Sequence, residues 1–538
     1  MSKVAYPKVK RLIRRVDTKH DCSNLLPAIA PPAFRPHPAL IPRAAKDTSS
    51  EAPKRDSLNQ TMEADTSLDS DQAPSDKSAA LALILRIPFD ILGIIFKCQE
   101  EPPRSFRFTV SHVCRIWREH VLAMPFLWNT LCITKRVPCW EMLEAMLERS
   151  AQAPLDIYIG QAPFVKSALP NLRKIMRIIL PHLGRWRSFH LSNAPHKVRR
   201  TLLDQIRAKF APHLKDIKIS QTTRNDGLSR IKFTSSSPKW RAQNVFAGFP
   251  NLRSVKWTSH TPCINNLPSF KNLKNLTLGE GTLDYTALQP FIELVHRILS
   301  DSPSLETFTI NNPPVDPWSG VELVPFQGPI LIHSSLQTLS INSGARGFDN
   351  SHKFRTATIR SLVLPKLRTF STKSYGEFVG VSCCDMIAQE NSLPELCIIS
   401  IKEDADFGPW TLTPSLDAYM SFLCPAIQNL ANLRVLNFES INFDNGRWLP
   451  DLGNCCPHLR CLAFLFCAGV TIPSIRLLVE TRIHKDGVNP LEFLFVIAPY
   501  DAPPECEPND EDEAWFSRHL IFGMPDLSWR YDTEPAAQ

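Results

Sequence analysis

One short apolar phrase recurs through most of the chain and limits what it can fold into. An apolar residue is followed by two variable positions, a second apolar residue, one variable position and a third. It appears as Trp186, Phe189, Leu191; Leu214, Ile217, Ile219; Leu252, Val255, Trp257; Leu273, Leu276, Leu278; Leu305, Phe308, Ile310; and Leu336, Leu339, Ile341. It continues as Leu367, Phe370, Thr372; Leu396, Ile399, Ile401; Leu433, Leu436, Phe438; Leu459, Leu462, Phe464; and Leu491, Leu494, Val496. Successive copies stand between about 20 and 40 residues apart, a period at which each copy is one supersecondary unit that buries its apolar side only by stacking on its neighbours. Several copies open alike, with Phe249-Pro250-Asn251, Ser302-Pro303-Ser304, Leu393-Pro394-Glu395 and Cys456-Pro457-His458. The last two apolar positions of each phrase are two apart, which is strand alternation, so the triplet points inward and the residue after the central one points to the opposite face.

An LxxLxL strand at this period resembles a leucine-rich repeat of the irregular, F-box-associated kind. The resemblance implies an α/β solenoid in which each repeat gives one short strand and a helical or irregular return. The asparagine usual after the strand is mostly missing, so an asparagine ladder and regular curvature are not implied. It also implies that the residues after the centre line a concave, substrate-binding side: Lys218, Lys256, Thr277, Thr309, Ser340, Ser371, Ser400 and Asn437, then Ala463 and Phe495. That face would grade from basic through small hydroxyls to apolar. Helical returns are expected over Val198–Phe210, Leu288–Leu299, Leu416–Leu430 and Ile472–Ile483, and protruding loops over Thr222–Ser237 and Asn311–Gly328, which are rich in Ser, Asn, Pro and Gly.

Upstream, the stretch Leu81–Ile133 has a different pattern. Pro88 suits a first helical turn and Asp90 favours its dipole, so a helix is expected from about residue 87 until Glu100-Glu101-Pro102-Pro103, with Phe89, Leu92, Ile95 and Phe96 on one face. Val110, Val113, Cys114, Trp117 and Val121 predict a second helix, and Phe126, Leu127 and Trp128 a third short element. The order Ile87-Pro88-x-Asp90-Ile91-Leu92-x-x-Ile95-Phe96, Val113-Cys114-Arg115-x-Trp117-Arg118 and Pro125-x-Leu127-Trp128 resembles an F-box, with Ile87 and Asp90 where that family usually has Leu and Glu. The resemblance implies docking on the Skp adaptor, and through it cullin, by Pro88, Phe89, Ile91, Leu92, Val110, Trp117 and Trp128, while the repeats bind a protein substrate. Between the two units, Trp140–Arg149 reads as a helix with Met142, Leu143, Met146 and Leu147 inward, and Leu155, Ile157 and Ile159 as an alternating strand.

The expected organisation is therefore a disordered leader (1–78), a three-helix F-box (79–135), an irregular leucine-rich-repeat solenoid (140–500) and an acidic C-terminal segment (501–538). The leader has too little apolar surface to offset its ordering entropy, Phe34 being its one aromatic between Asp21 and Ser78. At the other end Phe493, Phe495 and Ile497 leave the last strand apolar on both sides and in need of a cap. A short helix over Asp512–Ile521, with Asp510, Glu511, Asp512 and Glu513 near its start, is the expected cover, and Thr533–Gln538 is expected to be disordered.

Charge and cysteine usage bound the setting. Net charge is +8, with a basic start (Lys8, Lys10, Arg11, Arg14, Arg15), an acidic end and only a diffuse positive excess between, so nucleic-acid binding is not indicated. Fifteen cysteines without an N-terminal apolar signal suggest a reducing, intracellular location, cytoplasmic and/or nuclear, and no apolar run is long enough to span a membrane. The cluster Cys455, Cys456, His458, Cys461, Cys467 lacks a CxxC pair, so these cysteines are expected to be structural, with no metal and no cofactor. No GxxxxGK[ST], GxGxxG after a strand, HExxH or GxSxG occurs, and no enzymatic role is expected. The function implied is the substrate receptor of a Skp-cullin-F-box ubiquitin ligase. The alternatives are a structural repeat scaffold whose F-box-like unit is only a cap, and a nucleic-acid-associated repeat protein.

Overall fold

The computed structural model describes residues 87–97, 106–134, 139–160, 168–206, 209–220, 248–258, 271–279, 288–311, 330–342, 358–374, 393–403, 427–428, 430–443, 448–499 and 502–522, all within the unit Lys77–Gln538. The leader, residues 79–86, the loop at Thr222–Ser237, nearly all of the loop at Asn311–Gly328, most of the helix expected over Leu416–Leu430 and the tail Thr533–Gln538 lie outside the described residues.

Three short helices come first: α1 (Phe89–Lys97), α2 (Phe106–Ser111) and α3 (Arg115–Leu122), then a 3-10 turn at Pro125–Leu127. The continuous second helix expected from the apolar spacing is broken in two. Cys114 is extended (φ −157°) and its Sγ accepts from the Trp117 amide at 3.4 Å, so α3 starts afresh with its own N-cap and Val113 is left exposed. Two buried donors tie the unit together. The Arg107 guanidinium donates to the carbonyls of Leu127 and Thr130, both at 3.0 Å, and Trp128 Nε1 donates to the Val121 carbonyl at 2.8 Å, joining the Met124 amide there at the end of α3.

From there strands and helices alternate as far as β4, after which several strands follow one another among the described residues: β1 (Thr130–Ile133), α4 (Trp140–Arg149), β2 (Leu155–Ile159), α5 (Ala168–Ile179), β3 (Trp186–Leu191), α6 (His196–Ile206), β4 (Asp216–Ser220), β5 (Ser254–Thr258), β6 (Asn275–Leu278), α7 (Leu288–Asp301) and β7 (Thr307–Asn311). Next come β8 (Leu331–Ile332), β9 (Thr338–Asn342), β10 (Leu362–Val363), β11 (Thr369–Ser374), β12 (Ile398–Glu403), β13 (Val435–Glu439), α8 (Leu449–Asn454), β14 (Cys461–Leu465), α9 (Ile472–His484), β15 (Phe493–Ile497), α10 (Asp510–His519) and β16 (Ile521–Phe522). All but β8 and β10 form one open, parallel, fourteen-stranded sheet in which strands neighbour one another in sequence order; β8 and β10 pair separately.

The register explains why the phrase repeats. Ile217, Val255, Leu276, Phe308, Leu339, Phe370, Ile399, Leu436, Leu462 and Leu494 stand directly opposite one another across successive strands. Each is buried, as are the leucines three residues before them, so every strand seals the core of its neighbours. At the mouths of the sheet's strands from β4 to β14 one carbonyl accepts from two successive amides of the next: Lys215 from Arg253 and Ser254 at 2.8 and 2.9 Å, Arg368 from Cys397 and Ile398 at 2.8 and 2.9 Å. Where the third inward position is polar, its hydroxyl is satisfied, Thr372 Oγ1 donating to the Ile341 carbonyl at 3.1 Å.

Smaller expectations need correction. Met142 and Phe210 face solvent rather than the core, because α4 turns only Leu143, Met146 and Leu147 inward and α6 ends at Ile206 before Phe210 is reached. The C-terminal helix runs Asp510–His519, starting two residues earlier than expected, since Asn509 supplies a capping box with Asp512. It leads into β16, which pairs Ile521 and Phe522 with Phe493 and Leu494 of the last long strand.

Candidate functional site

Two surfaces bear on function. The first is on the N-terminal helices. In α1 Leu92 and Phe96 are buried, Phe96 meeting Phe106 and Trp117 edge-on at 5.6 and 5.9 Å, which leaves Ile91, Ile94 and Ile95 as an outer stripe. Phe89, Ile91, Ile94, Ile95, Val113 and Ile116 each keep between 40% and 57% of their surface exposed. Six large apolar side chains in about thirty residues are too many for scattered surface hydrophobes and mark a contact face.

Of the docking residues expected from the sequence, Pro88, Phe89 and Ile91 are exposed and Trp117 is half-buried. Leu92, Val110 and Trp128 belong to the core and are not available to a partner: Leu92 is on the inner stripe of α1, Val110 closes α2 on it, and Trp128 is held by its bond to Val121. Ile94 and Ile116 were not named from the sequence, and Ile95 and Val113 were placed on apolar helix faces but not among the docking residues. In a helix as apolar as FDILGIIFK periodicity cannot say which stripe faces out, and Val113 becomes exposed only through the break before α3.

The second surface is the sheet face opposite the core. The residues after the central apolar position form one row in register: Tyr158, His190, Lys218, Lys256, Thr277, Thr309, Ser340, Ser371, Ser400, Asn437, Ala463 and Phe495. Alternation along each strand puts all of them on the same side. Tyr158 and His190 meet edge-on at 6.5 Å, and Lys218 and Lys256 are exposed side by side. Burial, and then the neighbouring Lys218 charge, lower the His190 pKa, with Asp216 and Asp156 opposing.

Past the lysines come the hydroxyls, and they are not all open for contact. Ser371 Oγ donates to Ser340 Oγ at 2.7 Å, Asn342 Nδ2 donates to Ser340 Oγ at 3.1 Å and to Asn311 Oδ1 at 2.8 Å, and Asn437 Nδ2 donates to Ser400 Oγ at 3.1 Å. Ser340 and Asn437, expected on the binding face, are buried, because these cross-strand bonds draw neighbouring side chains over them. The Asn437 Oδ1 is buried with no partner among the described residues. Beyond Asn437 the face turns apolar: Cys461, Ala463, Leu465 and Phe495 are buried together, with Val435, Phe493 and Ile497 against them.

The cysteine cluster around residues 455–467 lies in the core at the C-terminal end of the sheet. Cys455, Cys456, Cys461 and Cys467 are buried, and among the described residues no group of three or more His, Cys, Asp or Glu side chains is placed to hold a metal ion. Burial pushes the Cys456 thiol up to about 12. The dominant polar group there is Arg482, whose guanidinium donates to the carbonyls of Cys455, Cys456, Leu459 and Asn489. No helix among the described residues is long and apolar enough to cross a membrane. Compared with known proteins, the chain matches no family model and no curated protein sequence.

Proposed function

We propose that this chain is the substrate-recognition subunit of a Skp-cullin-F-box E3 ubiquitin ligase, an adaptor that contributes binding and no chemistry. The helices from Phe89 to Leu122 are read as an F-box that docks on the Skp adaptor, and the sheet with its returns as an irregular leucine-rich-repeat solenoid whose polar row faces the substrate. Holding a substrate beside a ubiquitin-loaded conjugating enzyme raises the effective concentration of its lysines without any new catalytic group.

The observation that carries the reading is the exposed stripe of Ile91, Ile94 and Ile95 with Phe89, Val113 and Ile116, on a helical unit whose residue order resembles an F-box. A unit that only capped the sheet would turn these side chains inward. Co-purification with the Skp adaptor and cullin is the test. Replacing Pro88 and Ile91 by Ala, and separately Ile94 and Ile95 by Asp, abolishes capture of the adaptor while the sheet domain melts as before. Undiminished capture by both variants ends the proposal.

A further inference from the structure

Charge along the sheet is arranged in pairs that join neighbouring strands. Arg187 is bonded to Asp156, Lys274 to Glu306 at 2.6 Å, Arg368 to Glu395 at 3.1 Å, Lys402 to Glu439, and Arg460 to Glu492. Between β4 and β5 this arrangement reverses. Lys218 stands in direct register with Lys256, and at the mouths of the same two strands Lys215 stands beside Arg253, the Arg253 amide donating to the Lys215 carbonyl at 2.8 Å. All four side chains are exposed, and none has an ion pair among the described residues. The nearest acids on the face are Asp156 of β2, held by Arg187 and Ser188, and Asp216 of β4 itself, two residues before Lys218 and within reach of the Arg187 charge.

Like charges directly opposite on adjacent strands oppose folding, so two such pairs side by side are tolerated at a cost that an anionic ligand would remove. From these pairs we infer that β4 and β5 hold an acidic, extended protein segment, its Asp or Glu carboxylates lying between Lys218 and Lys256, with Lys215 and Arg253 at the mouths of the same strands adding to the positive field. The segment would continue along the row toward the hydroxyls of Thr277 and Thr309. Strands are about 4.8 Å apart, and the four-carbon stems of lysine adjust to carboxylates spaced along an extended chain. A single phosphate would need donors that converge, such as an arginine fork or a nest of backbone amides, and the inner positions are parallel lysine stems. A nucleic acid would carry its closely spaced phosphates past the pair onto Asp156, Asp216 and Glu306. The ligate-and-tag role proposed above enters only in calling this segment a substrate; the anion site itself stands on the charge pattern.

The full chain is titrated against a fluorescein-labelled peptide of alternating Glu and Gly, read by anisotropy. The wild-type protein binds and releases it as salt rises. Lys218→Glu with Lys256→Glu weakens binding about tenfold or more, and Lys218→Met with Lys256→Met weakens it less. Arg173→Glu with Arg177→Glu on the exposed side of α5 makes the same change in net charge and leaves the affinity within about twofold. Equal binding by the wild type and the Lys218/Lys256 charge reversal overturns the inference, as does an equal loss in the α5 control or no binding by the wild type. Tighter binding of a phosphoserine peptide or of an oligonucleotide also overturns it. Capture of the Skp adaptor by the wild-type chain is a separate readout: if the wild type binds no peptide but captures the adaptor, only this inference falls, and if it binds the peptide but captures no adaptor, the ligase reading falls and the anion site stands.

Discussion

Phe516 of α10 stacks on Phe522 of β16, ring centroids 4.8 Å apart and planes 18° from parallel, so the C-terminal helix and the strand after it close the sheet as one piece. Phe516 is fully buried, Asn509 caps the helix, and Arg476 of α9 lies 4.7 Å over the Trp515 ring. The cap covers Leu494, the last member of the inward row. Phe516→Ala is expected to cost about 3–5 kcal/mol, the usual range for emptying a buried aromatic site. Deleting residues 508–538 should lower the melting temperature further and promote aggregation through the bared edge of β15. Differential scanning calorimetry with light scattering checks both, and an unchanged transition in the deletion rules the cap out.

Arg482 carries the second prediction. Burial pushes its pKa down to about 10, so it stays charged at neutral pH, and it is paired with backbone carbonyls instead of a carboxylate. It fixes the turn before β14 and the segment before β15 to α9. Arg482→Met takes the guanidinium from all four carbonyls, of which Cys456 keeps the Leu459 amide and Asn489 is exposed, and should lose about 2 kcal/mol or more, each orphaned buried group costing about 1–3 kcal/mol. Lysine presents its donors on one nitrogen and cannot span four carbonyls, so Arg482→Lys recovers only a fraction. Urea denaturation of the two variants decides this: a wild-type midpoint in Arg482→Met would refute the role.

These two sites also mark what the sequence could and could not tell. Inward triplets such as Leu252, Val255 and Trp257 were legible because their spacing repeats in every unit and one physical cause, sealing against the next strand, acts on all of them. β16 was not legible, since two residues carry no period and the strand exists only because β15 offers an edge. Nor was the role of Arg482, because four carbonyl partners on separate turns leave no pattern in the residues. On the helical unit the residue order located the helices but not which of their stripes faces out. Leu92 and Ile91 are adjacent apolar residues, and only Phe106 and Trp117, packed on Phe96, settle which side is inside. On the sheet face the row itself could be read, whereas the burial of Ser340 and Asn437 depends on cross-strand bonds to residues in other repeats.

Acid should weaken the fold through two histidines of neighbouring units. His333 is buried with Nε2 3.1 Å from the Ser302 carbonyl, and burial lowers its pKa despite that bond. His296 Nε2 lies 2.8 Å from Ser361 Oγ, whose own proton goes to the Thr358 carbonyl, so His296 is a neutral donor there, and burial lowers its pKa too. In the unfolded chain both titrate near about 6.5. Below that pH the unfolded state binds more protons than the folded one, so stability falls as pH drops through about 6.5 and on toward the depressed folded values, and is flat above about 7.5. His333→Gln keeps a donor for Ser302 and removes the titration. Its urea midpoint should depend less on pH between about 5 and 7 than the wild type's. An identical pH dependence in the two proteins would exclude His333 as a contributor.

Thiol labelling separates the buried cysteines from Cys139, the exposed one among the described residues. Cys139 is exposed at the start of α4, whereas Cys455, Cys456, Cys461 and Cys467 are buried and the Cys456 Sγ–H points to the Ile427 carbonyl at 3.4 Å. With the Cys456 thiol pushed up to about 12, only about one molecule in ten thousand carries the thiolate at pH 8, and the thiolate is the species that attacks. Iodoacetamide on the native protein should therefore modify Cys139 first and reach Cys456 only when α8, α9 and β14 open together. Peptide mapping over time checks the order. Adding urea below the midpoint should raise the Cys456 rate in proportion to the open population, leaving Cys139 nearly constant. Early modification of Cys455 or Cys456 in native buffer would mean that this end of the sheet is looser than its burial implies, and that Arg482 does not hold it shut.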